Sequence, residues 1–185
     1  MMRLLSLLLA AAALHGQSVV VSQVYGGGGN TGAVWRNDFV ELFNRGSAPV
    51  SMAGGSVQYA SATGTMWQVA PIEGTIEPGQ YFLIQLAAGA GGTQSLPSPD
   101  AMGTLALGGT AGKIALVRGV APLQDGRTLL ADLVGYGLTA NESETAPTPA
   151  DHRARAILDF SQNYSKCRLR ESIRGKYQQE CTYLR

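Results

Sequence analysis

Seven short apolar or alternating stretches follow one another along the chain, and glycine or another turn former lies between them. β-Branched and aromatic residues recur in these stretches, as they do in strands, because such side chains pack well on a pleated surface. No stretch before residue 150 repeats its apolar residues with the period of a helix. Short strands with this spacing are typical of a β-sandwich, so the sequence predicts an all-β fold. The predicted strands are residues 18–24, 38–43, 56–60, 66–70, 80–85, 113–117 and 129–136.

The second predicted strand carries apolar residues on both of its faces. Alternation puts Val40 and Leu42 on one face and Phe39 and Phe43 on the other. We therefore expect this strand to be covered on both sides or to lie near an edge loop.

The connections between strands are rich in glycine. Residues 26–32 read Gly-Gly-Gly-Gly-Asn-Thr-Gly, and a flexible surface loop is expected there. Residues 87–107 form a Gly/Ala/Ser/Pro connection that is unusually long for a compact domain, and such connections are often surface loops with a role. At Glu77-Pro78-Gly79, proline in the second turn position and glycine in the third favour a type II turn.

The first residues have the pattern of a secretory signal peptide. Arg3 precedes the apolar run Leu4–Leu14, which ends in small residues and is too short to span a bilayer comfortably as a helix. We expect a signal peptide over residues 1–17, cleaved between Ala13 and Gln17, and a mature protein that is secreted, extracellular or periplasmic. No later stretch is long and apolar enough to hold the mature chain in a membrane.

The charge changes sign near residue 150. Residues 18–150 carry five Lys/Arg and nine Asp/Glu, whereas residues 151–185 carry eight and four. A Pro/Thr/Glu-rich stretch at 141–150 separates the two parts, and its composition is that of a solvated linker. We therefore divide the chain into a body of residues 18–140, a linker of residues 141–150 and a basic tail of residues 151–185, in which residues 152–160 could form a short helix.

The tail offers two further predictions. Cys167 and Cys181 are disulfide candidates, because an exported protein meets an oxidising environment, although two free thiols are the alternative. Basic residues interleaved with tyrosines could contact a polyanion such as nucleic acid or an envelope polymer, although a solvated basic tail is the simpler interpretation. The candidate polyanion contacts are Arg153, Arg155, Lys166, Arg168, Arg170, Arg174 and Lys176.

Candidate catalytic and metal chemistry is sparse. Residues 26–32 lack the Gly-Lys-Ser/Thr sequence and the following helix of a phosphate loop. His152, the one histidine beyond the leader, lies beside Asp151 without the rigid scaffold of a catalytic triad. Glu41 is expected to pair with a loop amide, Arg36 or Arg45 rather than to act in catalysis. Two cysteines and two histidines form no ligand cluster, so we expect no metal and no cofactor.

Several segments taken together resemble the lamin tail domain family. They are 21–30, 39–44 followed by 49–54, 74–84, 87–91, 113–117 and 132–137, and the first and last are similar to the bacterial exported branch. The resemblance covers roughly residues 18–140 and implies an immunoglobulin-like β-sandwich. Relatives usually place a tryptophan where this chain has Gly55, and Trp67 is the candidate to fill that space. The start of the tail is faintly similar to the opening of a cyanovirin-N-like lectin repeat, over too few residues to build a sugar site.

The resemblance implies an interaction module rather than an enzyme. We expect a non-catalytic exported module that binds a protein or polymer at the cell envelope or outside the cell. Alternatives are an accessory binding domain of a secreted hydrolase or nuclease system, and nucleic-acid or glycan binding through the tail. The candidate interaction loops contain Gly26, Gly27, Gly28, Gly29 and Asn30, and Ala87, Ala88, Gly89, Ala90 and Gly91.

Overall fold

The computed structural model describes residues 18–124 and 127–144, together with the backbone of 164–171 and 177–183. Only strands, turns and loops occur in these ranges. The strands are β1 (Val19–Tyr25), β2 (Asn37–Asn44), β3 (Val50–Ser51), β4 (Gly55–Ala60), β5 (Gln68–Ile72), β6 (Thr75–Ile76), β7 (Tyr81–Ala88), β8 (Ala101–Met102), β9 (Gly112–Val117), β10 (Leu130–Tyr136), β11 (Tyr164–Glu171) and β12 (Tyr177–Tyr183). No helix among the described residues is long and apolar enough to cross a bilayer.

Two four-stranded sheets make up the body. The first sheet has the order β1-β2-β7-β8 and the second has the order β10-β9-β4-β5. All pairings in the two sheets are antiparallel except that of β7 with β8. Each of the seven predicted strands is present, so the predicted all-β sandwich is confirmed. The two-residue strands β3, β6 and β8 were not predicted, because two residues are too few to show a pattern.

Apolar residues of both sheets form one large core. Val40 and Leu42 of β2 are completely buried in it. On the opposite face of β2, the ring of Phe39 stacks on that of Tyr25 at 5.2 Å between centroids, and Phe43 contacts Tyr81 at 4.7 Å. Of the two alternatives expected for this strand, the structure shows the first, because side chains pack on both of its faces.

A turn at Gly79 and a hydrogen bond of Asp132 are two further features of the fold. Gly79 has a φ of +69°, and the Gln80 amide donates to the Glu77 carbonyl at 3.1 Å, as in the predicted type II turn. Along one side of the sandwich, Asp132 of β10 accepts a hydrogen bond from the amide of Val21 in β1 at 2.7 Å. This bond joins the edge strands of the two sheets.

A buried lysine fastens the last described part of the body. The Nζ atom of Lys113 donates to the Gly64 carbonyl at 2.7 Å and to Asn141 Oδ1 at 2.9 Å, and it pairs with Glu142 at 3.3 Å. The first residues of the predicted linker therefore contact the sandwich. The same ammonium lies 5.5 Å from the centroid of the Trp67 ring.

The prediction that Trp67 fills the space at Gly55 is wrong. Gly55 begins β4 and pairs with Ile72, whereas Trp67 lies at the other end of this hairpin, just before the pair of Gln68 with Tyr59. There Trp67 packs against a second, smaller apolar cluster. The two positions are separated by the length of β4, about 17 Å.

The tail contains a hairpin that the sequence did not predict. β11 and β12 pair antiparallel, and their register places Cys167 opposite Cys181. The disulfide between them stays a prediction. Lys166, Arg168 and Arg170 occupy alternate positions of β11. Outside the described residues lie the predicted signal peptide of residues 1–17, the predicted helix at 152–160 and the cations Arg153, Arg155, Arg174 and Lys176.

Candidate functional site

Three loops meet at one end of the sandwich, which we call the glycine end. They are residues 26–36 between β1 and β2, residues 88–94 at the end of β7, and residues 107–111 before β9. The first two contain the candidate interaction residues of the sequence analysis, except Ala87, which lies in β7. The fold therefore brings together two segments that are about 60 residues apart in the chain.

Glycines let the first two loops pack backbone to backbone. The Gly91 amide donates to the Gly29 carbonyl at 2.7 Å, and the Gly89 amide donates to the Arg36 carbonyl at 2.9 Å. Gly29 has a φ of +68°, and a Cβ atom there would lie 2.2 Å from Gly89 Cα. Only glycine fits such a contact, because the opposing atoms are backbone and cannot move aside as a flexible side chain would.

The carboxylate of Asp38 joins the first loop to the third. Its Oδ1 atom accepts from the Gly28 amide at 2.8 Å, and its Oδ2 atom accepts from the Leu107 amide at 2.7 Å. Burial raises the pKa of Asp38 to about 6, although the two amide bonds act in the opposite direction. One side chain at the start of β2 thus satisfies a half-buried donor of the first loop and a buried donor of the third.

Two tyrosines hold the third loop from beneath. The Gly108 amide donates to the hydroxyl of Tyr59 at 3.0 Å, and the hydroxyl of Tyr136 donates to the Gly108 carbonyl at 2.7 Å. Tyr136 is buried, and burial raises the pKa of its hydroxyl far above the ordinary value. A Cβ atom on Gly26 would lie 2.4 Å from the same Gly108 carbonyl oxygen, so the first and third loops also touch.

The expectation of a flexible surface loop at residues 26–32 is wrong for its first half. Gly26, Gly27 and Gly29 are buried, and Gly28 is half-buried, because these backbones pack closer together than side chains would permit. Ala87 and Gly91 are also half-buried. The part of these two loops in binding a partner stays a prediction, and it now applies to the exposed residues of the loops.

The exposed tip of the glycine end consists of small, polar and cationic residues with one apolar side chain. Val34, which is 49% exposed, is that apolar side chain. The exposed residues of the three loops are Asn30, Thr31, Gly32, Val34, Arg36, Ala88, Gly89, Ala90, Thr93, Gln94 and Thr110. The tip thus presents mainly small and polar groups on a hydrogen-bonded base, which suits contact with a partner surface more than the predominantly apolar lining of a small-molecule site would.

Glu41 lies among buried groups in the middle of the first sheet. It accepts a hydrogen bond from the Ser22 hydroxyl at 2.8 Å. Burial raises the pKa of Glu41 to about 7, and the negative charge of Asp100 adds to the shift. Such a pKa suits acid–base chemistry, but Glu41 is only 2% exposed, so a substrate has no direct access to it. No group of three His, Cys, Asp or Glu in the described ranges could hold a metal ion.

Stability should fall as the pH rises from about 5 to about 8. The pKa values of Asp38 and Asp132 are about 6 and that of Glu41 is about 7, mainly because all three are buried, whereas unfolded carboxyls titrate near 4. The folded chain therefore holds protons that the unfolded chain releases, and this stabilisation is lost through pH 6–7. We expect the free energy of unfolding to be at least about 2 kcal/mol larger at pH 5 than at pH 8 in urea titrations.

A conservative variant provides the control for this pH dependence. Glu41→Gln removes the group with the highest of the three pKa values, so the difference between pH 5 and pH 8 should shrink. A wild-type stability that rises between pH 5 and pH 8, or a difference unchanged in Glu41→Gln, would contradict the assignment.

The connecting residues of the glycine end were not identified from the sequence. Asp38, Tyr59 and Tyr136 lie in or beside predicted strands, and their partners are up to 69 residues away. The one local signal is a carboxylate directly before the apolar alternation of β2. That signal indicates a special role for Asp38 but does not indicate which amides it binds.

Comparison with known proteins identifies the family. The family model described as Lamin Tail Domain matches residues 13–137, which is more than half of the chain and includes both sheets and the glycine end. No curated protein matches the chain. Lamin tail domains are immunoglobulin-like interaction domains that are generally non-catalytic. The sequence match and the β-sandwich agree, and the chain belongs to the lamin tail domain family.

Proposed function

We propose that this protein is a non-catalytic exported interaction module that binds a protein or polymer at the cell envelope or outside the cell. The tip of the glycine end is the proposed contact surface. The leader-like residues 1–17 and family membership support an exported binding role.

The observation that carries this proposal is the cross-connection of the three loops. Asp38 accepts hydrogen bonds from amides of the first and third loops. Gly29 and Gly89 bring the backbones of the first and second loops into contact. Loops that are already held in one conformation lose little entropy when a partner binds, so more of the contact energy appears as affinity. Small residues at the tip, such as Gly32 and Ala88, let a partner surface approach closely.

A pull-down on isolated cell-envelope material tests the proposal. The purified chain is compared with a variant in which the seven tail cations named above are replaced by glutamine, each at low and moderate salt. We expect both proteins to be retained, because the proposed contact lies in the sandwich and contains one exposed cation, Arg36, so salt should weaken it less than a contact through the seven tail cations.

Other outcomes distinguish the alternatives. Retention of the parent chain alone, lost at moderate salt, would place binding in the tail and favour polyanion binding. Retention of neither protein would contradict envelope binding. Reproducible hydrolytic turnover by the purified chain would contradict the non-catalytic part of the proposal, whereas retention only in the presence of a secreted hydrolase would favour the accessory-domain alternative.

A further inference from the structure

A pocket of about 290 Å³ lies at the end of the sandwich opposite the glycine end. It is formed where β1, β4 and β10 begin and where β9 finishes, whereas the glycine end adjoins the other ends of the same strands. Its wall includes the segment Val50–Gly55 and the segment Leu116–Arg118. The pocket is therefore independent of the surface in the proposed function, and the inference below does not rest on that function.

Gly55 keeps part of this pocket open. It is buried and has no side chain, and its φ lies outside the left-handed region that favours glycine, unlike the φ of +74° at Gly54. A Cβ atom at Gly55 would lie 3.1 Å from the Met52 carbonyl oxygen and 3.3 Å from that of Val117. The backbone conformation therefore does not itself demand glycine, although a side chain would need small shifts of its neighbours.

The pocket wall combines buried apolar residues, polar groups and one exposed arginine. Val19, Met52, Leu116 and Ala131 are buried apolar residues in its wall. Arg118 also lines the pocket and is exposed, and no acidic residue occurs among the residues that line it. A cavity whose wall includes buried apolar residues beside an exposed arginine fits a ligand that joins an apolar group to a carboxylate.

The volume limits the size of the apolar group. Pockets for drug-sized ligands occupy about 300–1,000 Å³, so this pocket is at the lower end of that range and fits a single ring system. Aromatic side chains that enter apolar pockets are among the strongest anchors of protein interfaces. We propose that the pocket receives one aromatic side chain of a partner protein, with an adjacent carboxylate of that partner on Arg118.

Two small probes separate the aromatic contact from the charge contact. N-acetyltryptophan carries both the ring and the carboxylate, and N-acetyltryptophanamide carries the ring alone. In methyl NMR titrations of the purified chain we expect saturable shifts at Met52 and Leu116, with dissociation constants on the order of 1 mM, as befits probes of this size. The amide should bind about threefold more weakly, which is typical of an exposed ion pair.

Two pairs of variants make the test specific to this pocket. Ala53→Trp places a ring at the exposed mouth and should abolish the shifts, whereas the matched Ala90→Trp at the glycine end should not change them. Arg118→Glu should reverse the preference, so that the amide binds more tightly than the acid. The matched Arg36→Glu should leave the preference unchanged. All four positions are exposed, so these changes spare the core.

Three results would overturn the proposal. The first is the absence of shifts at Met52 and Leu116 up to about 10 mM probe, which is tenfold above the expected dissociation constant. The second is equal binding of the acid and the amide. The third is shifts that persist in Ala53→Trp. An affinity that changes equally in Arg118→Glu and Arg36→Glu would also contradict it, because long-range charge rather than the pocket would then explain the preference.

Discussion

Replacing Gly29 with alanine should reduce the free energy of unfolding by about 4 kcal/mol, the size at which a single substitution becomes diagnostic of one mechanism. An alanine at a φ of +68° costs about 1–2 kcal/mol. The larger part comes from the new Cβ atom, which would lie 2.2 Å from the backbone of Gly89 and force the first two loops apart. Chemical denaturation of the purified variant measures the loss.

Gly32 provides the matched control for this substitution. Its φ of +80° is similar, but a Cβ atom there would meet nothing within 4 Å. Gly32→Ala should therefore show the conformational cost alone, about 1–2 kcal/mol. Equal losses in the two variants would contradict the close packing of the first two loops.

Replacing Asp38 with alanine should cost about 3 kcal/mol. The change leaves the buried amide of Leu107 and the half-buried amide of Gly28 without their acceptor, and an unsatisfied buried donor costs about 1–3 kcal/mol. Removing the buried carboxylate also removes the cost of its desolvation, and this offsets part of that loss. The offset is smaller at pH 5, because most of the Asp38 carboxyl is protonated there. Denaturation at pH 7 measures the net effect.

Asp100 makes the same kind of bond in a solvent-exposed setting. Its Oδ2 atom accepts from the Leu83 amide at 2.9 Å. Because water can replace an exposed acceptor, Asp100→Ala should cost less than about 1 kcal/mol. If the two aspartate variants lose the same amount, Asp38 does not join the first loop to the third, and the basis for a preformed binding surface is lost.

The strands could be predicted from the sequence because their pattern is local. In β2, apolar residues on both faces, Phe39 and Phe43 on one and Val40 and Leu42 on the other, predicted either two covered faces or a position near an edge loop, and the structure shows two covered faces. The turn at Gly79 was predictable for the same reason, since proline and glycine restrict the backbone at their own positions. The family resemblance added the expectation that these strands form an immunoglobulin-like β-sandwich.

The packing of the loops could not be predicted, because it depends on residues far apart in the chain. A glycine run is equally compatible with a flexible loop and with tight backbone contact, and only the position of Gly89 beside Gly29 distinguishes the two. The same applies to Lys113, whose bonds to Gly64 and Asn141 span 49 and 28 residues.

The prediction at Gly55 failed for a related reason. Trp67 is a large ring only twelve positions away, so it was a reasonable candidate to fill the space. The register of β4 with β5 instead places it at the far end of the hairpin, beside Lys113. Register depends on the whole sheet, and the sequence near Trp67 does not reveal it.

The most direct test of the proposed binding surface compares two exposed valines at opposite ends of the sandwich. Val34 at the tip of the glycine end is 49% exposed, and Val120 beyond β9 is 54% exposed, so Val34→Asp and Val120→Asp introduce the same charge at similar exposure. We predict that envelope material retains Val120→Asp as well as the parent chain and that Val34→Asp loses most retention. Equal retention of the two variants would contradict binding through the glycine end.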